Sequence, residues 1–258
     1  MVDGDIAVAL GLAITRTPRS YSVHVYPPNV RSRALVFLIG VMTRAVVAQT
    51  PGHARSVATS CRLPDRWIHI VPNMVGAPSA TRWAPAAPQS FGVVSRFATN
   101  KGLELVPLLA ELLERAGPFS VVVHGDGPLR QQIQQRCAPI VRFAGMTTST
   151  DETYADIDVL IVLSPVEVGP TTALEAAARG IPVVSLHPLP GLLEALGKLA
   201  LVPPRPDVEE LVALIVHTTE AHTWPSAGSL HQRATERFDR TVVARRFVSE
   251  LSLPIPER

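Results

Sequence analysis

Glu167 and Glu175 stand eight residues apart, with Val168-Gly-Pro-Thr-Thr-Ala-Leu174 between them. Carboxylates accept hydrogen bonds from hydroxyl groups. The backbone N–H groups that open a helix suit an anion, phosphate above all. A helix start near Thr171 or Thr172, bracketed by two carboxylates, predicts a ligand carrying both phosphate and hydroxyls, such as a nucleotide sugar. The same residues also have a structural reading. Thr172 and Glu175 fit a capping box, in which Glu175 returns a hydrogen bond to the Thr172 N–H, and Glu167 fits a solvated loop position.

The elements that must position these groups are legible around them. The apolar run Asp158-Val-Leu-Ile-Val-Leu163 leads in as a buried strand, and an alanine-rich helix starts near Thr171 or Thr172. Gly180 stops that helix and Pro182 opens a second apolar run at Val183-Val184. Strand, loop, helix, strand is the unit of a parallel α/β sheet. Ligands in such sheets sit where strand C-terminal ends meet helix N-termini.

The alternation extends both ways. Upstream, strands are expected over 91–95, 119–124 and 140–144, with helices over 103–116, 129–137 and 151–156. Leu103, Val106, Leu109, Ala110 and Leu113 share one helical face. Downstream come a strand over 199–202, a helix over 208–222 and helical segments over 228–237 and 241–251. The first third reads as a strand running into a helix over 5–14, then strands over 21–25, 45–48 and 67–71. Helices fall over 31–43 and after Thr50-Pro51, where a cap precedes a proline at the first helical position. Residues 76–90 lose all periodicity. The expected domains are therefore 1–76, a linker over 77–90, a second domain over 91–225, and closing helices over 226–258 that pack back on the first.

Composition narrows the function classes. Hydrophobic content of 47% in 258 residues supports a true core. A net charge of +2 lacks the concentrated basic face of a nucleic-acid partner. Cys61 and Cys137 are isolated, which argues against a zinc site and fits a reducing cytosol. No export signal is read in the first residues, so a cytoplasmic location is expected. The longest apolar run, Ala34–Met42, falls short of the roughly 20 residues a membrane span needs. It is expected as a buried amphipathic helix; Arg33 and Arg44 at its ends also allow a peripheral membrane contact.

Several stretches resemble the retaining glycosyltransferases of GT-B fold, specifically glycosyltransferase family 4, the glycosyl transferases group 1. The stretches are Ser95-Arg96 followed by Lys101-Gly102, the turn Gly125-Asp-Gly-Pro-Leu129, Val141-Arg-Phe-Ala-Gly145, Tyr154-Ala-Asp-Ile-Asp158, and Glu167 with Glu175 as a Glu-x7-Glu pair. In the first third, Val23-His24 and Ile70-Val-Pro-Asn73 resemble the end of the family's N-terminal domain. The resemblance implies an α/β, GT-B-like chain of two Rossmann-like parallel-sheet domains, the N-terminal one incomplete because the family's opening strand and glycine-rich loop are missing. It implies sugar transfer from a nucleoside diphosphate sugar to a sugar, lipid or small-molecule acceptor, with retention. Arg96, Lys101 and the N–H groups around Gly169, Pro170, Thr171 and Thr172 then grip the diphosphate, and Glu175 holds ribose hydroxyls. Glu167 faces the transferred sugar, His24 lies near the reacting sugar, and no metal or other cofactor is implied. Pro170, Ser95 and His187-Pro-Leu-Pro190 depart from the family pattern. A catalytically impaired or partner-dependent nucleotide-sugar-binding protein is the alternative. An incomplete first domain leaves Ile6-Ala-Val-Ala-Leu10 as an apolar edge strand open to self-association. A dinucleotide-dependent oxidoreductase is disfavoured, because no Gly-x-Gly-x-x-Gly follows a predicted strand.

Overall fold

The computed structural model describes residues 20–24, 26–27, 29–76, 78, 88–137, 139 and 141–251. The strand expected over 6–10, with its self-association, and most of the linker expected over 77–90 lie outside them. The chain divides into two units. One comprises residues up to Met74 together with those from Arg240 onward, and the other runs from Val75 to Asp239.

The first unit holds a parallel three-stranded sheet in the order β1-β2-β3, formed by Tyr21–Ser22, Val46–Ala48 and Ile68–Ile70. Helix α1 (Val30–Thr43) links β1 to β2, and α2 (Pro51–Cys61) links β2 to β3. As its sequence suggests, α2 opens with Pro51 in its first turn, and the Thr50 side chain accepts from the His53 N–H at 3.1 Å. Helix α1 departs from expectation. Val36, Ile39 and Gly40 are buried, whereas Phe37, Leu38, Val41 and Met42 remain exposed. The helix is apolar along most of its length, and among the described residues its buried side chains go with the contacts to β1 and α2.

The second unit contributes strands β4 (Ser90–Val94), β5 (Ser120–His124), β6 (Val141–Gly145), β7 (Val159–Val162), β8 (Val183–Ser185) and β9 (Ala200–Leu201). All pair in parallel, in the spatial order β6-β5-β4-β7-β8-β9. Side chains alternate between two faces, and both faces are apolar, as a sheet covered on both sides requires. Val121, Val123, Val159 and Ile161 join a core with α3 (Val106–Ala116), α4 (Arg130–Arg136) and α8 (Val208–Glu220). Val122, Leu160 and Val162 join the opposite core with α5 (Thr150–Tyr154), α6 (Thr171–Ala178), α7 (Pro190–Leu196) and α9 (Ala227–Phe238). Leu109, Leu113, Leu211 and Ile215 are fully buried, each contributing about 1.5–3 kcal/mol of hydrophobic stabilisation. Helix α7 was not expected; it is one of the short elements, and Pro190 starts it.

The closing helices part company. Helix α9 packs on α6 and α7 in the second unit. Helix α10 (Arg240–Leu251) groups with the first unit, where Val243 meets Val47 and Val71, and His69 Nδ1 lies 3.4 Å from Glu250 Oε2. Where the sequence suggested that both would return to the N-terminal domain, the break at Asp239 sends them to different units.

Gly92 in β4 faces Ile157, whose side chain would lie 2.3 Å from a Cβ built there. We expect Gly92→Ala to destabilise the second unit by about 1–3 kcal/mol through overpacking, read as a lower urea midpoint with an unchanged slope.

Candidate active site

In the second sheet the chain leaves β4 toward β5 on one side and β7 toward β8 on the other. The strand order reverses between β4 and β7, so the loops beyond their C-terminal ends diverge and leave a crevice. A cavity of about 290 Å³ lies there. The end of β4 lines it with Val94, Ser95 and Arg96, and the end of β7 with Leu163 and Ser164. Lys101, Glu167, Gly169, Pro170, Thr171 and Thr172 complete the wall.

Each polar group is held by an apolar neighbour. Phe97, fully buried, sits between Arg96 and Lys101 and pins their loop to the core. Its N–H donates to the Asp126 carbonyl at 2.9 Å, and its carbonyl accepts from Leu129, so the turn at 125–129 braces that loop. Gly102 takes φ +70°, and a Cβ there would lie 2.4 Å from the Leu163 carbonyl oxygen. Only glycine lets the Lys101 loop come this close to the end of β7. Val168, buried, anchors the loop that carries Glu167.

Lys101 Nζ donates to Glu167 Oε1 at 2.6 Å, and the two side chains are 21% and 23% exposed. Arg96 is exposed at the rim. Helix α6 begins after Pro170, with no side chain capping it. The Pro170 carbonyl accepts from the N–H groups of Ala173 and Leu174. Proline at the cap therefore removes an N–H that precedes the helix and leaves the first-turn N–H groups of Thr171 and Thr172 at the cavity wall.

Glu175 does not line this cavity. The capping box is absent too, since Thr172 lies inside the helix. One Glu175 oxygen, Oε2, accepts from the Tyr154 hydroxyl at 2.9 Å, and that hydroxyl also lies 2.9 Å from the Thr172 carbonyl oxygen. Arg179, buried, stacks on the Tyr154 ring at 5.1 Å and donates to Asp151, Thr150 and the Glu175 carbonyl. Burial pushes the Glu175 carboxyl above its usual range, against the pull of Tyr154 and Arg179. The Tyr154 phenol is held well above its usual range by burial and by the charge of Glu175.

Sequence reasoning missed this network behind α6. Its signal was present: Asp151 and Tyr154 stand three apart on one short helix, and Arg179 follows Glu175 by one turn. His24 belongs to the first unit, two residues past β1, where its Nδ1 lies 2.6 Å from Gln49 Nε2.

Residues 88–220 match the family described as glycosyl transferases group 1. The chain belongs to this family. EpsF of Bacillus subtilis (strain 168) is 32% identical over 135 residues, which cover 45% of this chain and 35% of EpsF. The chain thus spans about a third of that relative. Among solved structures, Anabaena HepE in complex with UDP and glucose superposes with a TM-score of 0.83 at 18% identity, over 98% of this chain and 76% of that one. The lipopolysaccharide outer core galactosyltransferase WaaB, in its apo form, gives 0.74 at 15% identity, over 98% and 73%. These likenesses fix the fold as GT-B-like, built from parallel α/β units.

The raised pKa of Glu175 carries a stability consequence. Its carboxyl holds a proton more tightly folded than unfolded, so stability falls as pH rises from the ordinary carboxyl value through the raised one. Glu175→Gln should flatten that fall and leave the chain at least as stable as the parent at neutral pH. Urea unfolding from acid to neutral pH checks this; a less stable variant at neutral pH would show that the Tyr154 bond to the ionised carboxylate outweighs the cost of its burial.

Proposed function

We propose that this chain is a retaining glycosyltransferase of family 4, which moves a sugar from a nucleoside diphosphate sugar to an acceptor. The observation that carries the proposal is the cavity at the β4/β7 reversal, where Arg96, Lys101, Glu167 and the first turn of α6 share one wall. As the glycosidic bond breaks, negative charge gathers on the leaving diphosphate. Arg96, Lys101 and the Thr171 and Thr172 N–H groups stabilise that charge without a metal. Glu167 releases Lys101 to the diphosphate and takes hydroxyls of the transferred sugar. Glu175 serves the ribose, and His24 serves the sugar and acceptor. HepE, solved with UDP and with UDP-glucose, supports a uridine donor. The test is incubation of the full chain with UDP-, GDP- and ADP-sugars and a panel of acceptors, with the anomeric configuration of the product read by NMR.

Lys101→Ala should weaken UDP binding by about 1.5–3 kcal/mol, the range for a hydrogen bond to a charged group. Glu167→Gln should leave UDP affinity nearly unchanged and reduce transfer. Calorimetry and a donor-turnover assay separate the two, and the reverse pattern would reassign the pair.

The first unit supports a peripheral membrane contact in the cytoplasm. Val30, Phe37, Leu38 and Val41 on α1 are exposed by 79%, 44%, 51% and 42%. Arg31, Arg33 and Arg44 flank them, and the helix has no acidic residue. Between residues 20 and 76, six arginines stand against one carboxylate, Asp65. An apolar stripe with a basic border suits an anionic lipid surface. No helix of the described residues is long and apolar enough to cross a membrane. The chain should sediment with phosphatidylglycerol vesicles and not with phosphatidylcholine vesicles, and Phe37→Ser with Val41→Ser should abolish sedimentation.

A further inference from the structure

We propose that Tyr154 is a positioning residue for nucleoside binding: it fixes one oxygen of Glu175 and the Thr172 carbonyl, and so presents the other Glu175 oxygen to the ribose. The proposal rests on the nucleotide site inferred above and adds to it a residue that does not touch the ligand.

The geometry is specific. Tyr154 is 1% exposed and its hydroxyl lies 2.9 Å from two acceptors on α6, the Glu175 carboxylate and the Thr172 carbonyl. Thr172 lines the cavity. The phenol oxygen thus stands between a wall residue and the Glu175 carboxylate, within hydrogen-bond reach of both. The phenol has one proton to give, so its hold on Glu175 depends on what that carboxylate carries. An ionised Glu175 takes the proton of Tyr154 on Oε2 and keeps Oε1 as an acceptor. A protonated Glu175 donates to the phenol oxygen, and Tyr154 then turns its proton to Thr172.

The surroundings restrain the ring. Arg179 stacks on it, and Asp151 and Thr150 hold Arg179 from the N-terminal turn of α5. The titratable and charged groups facing Glu175 are therefore Tyr154 from α5 and Arg179 at the C-terminal cap of α6, with Asp151 acting through Arg179. Burial raises the Glu175 carboxyl and both neighbours lower it. Removing the phenol must raise it further. A ribose hydroxyl donates well to a carboxylate and poorly to a carboxylic acid, so nucleoside affinity should fall as pH falls through the Glu175 transition. That transition should move upward without Tyr154.

The test uses the full chain, with UDP and inorganic pyrophosphate as probes in calorimetry across pH. Pyrophosphate engages the diphosphate wall and has no ribose. Tyr154→Phe, which keeps the ring and its stacking, should weaken UDP binding about three- to tenfold and shift the pH midpoint of UDP affinity upward. Pyrophosphate affinity should stay constant. Added to Glu175→Gln, it should cost nothing more, since both act on one carboxylate. Equal losses for both probes, unchanged UDP affinity or an unmoved midpoint would overturn the proposal while leaving the site intact. If the parent binds UDP, GDP and ADP no better than the Lys101→Ala variant, the nucleotide site itself is wrong and the proposal falls with it. Should Tyr154→Phe not fold, 3-fluorotyrosine incorporation keeps the shape and makes a stronger donor. It should move the UDP midpoint downward, and an unmoved midpoint would overturn the proposal.

Discussion

Two adjacent strands that send the chain in opposite directions leave a gap that neither loop can close. In this protein β4 and β7 are that pair, and the second unit is arranged around the gap between their ends. Parallel pairing forces every connection to cross over a face of the sheet. Helices therefore cover both faces, and the strands must be apolar on both sides. That leaves the strand ends as the place where polar groups can gather without breaking a core. Arg96, Lys101 and Glu167 sit at such ends, beyond the apolar strands.

The cavity's charges are arranged in depth. Lys101 and Glu167 meet at its wall and screen one another, so an anion entering the cavity would meet a cation that is already paired. Beside the wall, Glu175, Tyr154, Arg179 and Asp151 form a second polar group, in which Tyr154 and Arg179 are buried and Glu175 and Asp151 are partly exposed. A buried polar chain is tolerable only when its members satisfy one another. Here Asp151 and Tyr154 from α5 meet Glu175 and Arg179 from α6 and its C-terminal cap, and the two helices are tied together as a result.

Much of this was legible in the sequence. The apolar runs at 158–163 and 183–184, the proline after Thr50 and the stripe Leu103–Leu113 each obey a rule that acts locally, and each became the expected element. The shared placement of Arg96, Lys101, Glu167 and the Thr171-Thr172 helix start was also foreseeable, because strand order in a doubly wound sheet brings those loops together. What escaped was settled at a distance. Thr172-x-x-Glu175 reads as a capping box only if Thr172 precedes the helix, and the helix starts one residue earlier. The side chain of Glu175 was then free to meet Tyr154, 21 residues upstream, a contact no local rule contains. Helix α1 failed for a related reason. Its residues are apolar enough for burial, but burial also needs an opposing surface, and the covered face is narrower than the apolar one.

The division at Asp239 has a consequence for how the molecule is made. The second unit is one continuous stretch of chain, whereas the first is written in two pieces, the second of which supplies α10. On the ribosome β1, β2 and β3 emerge before the second unit, yet Val47, Val71 and His69 meet Val243 and Glu250 only after that unit has been made. The usual order, in which the N-terminal domain matures before the next begins, is inverted. The later unit can close on its own contacts, while the earlier one waits for α10. Val75, bonded through its N–H to the Phe238 carbonyl, places the two exits of the second unit side by side. The final segment is thus released beside the point where the first segment ended.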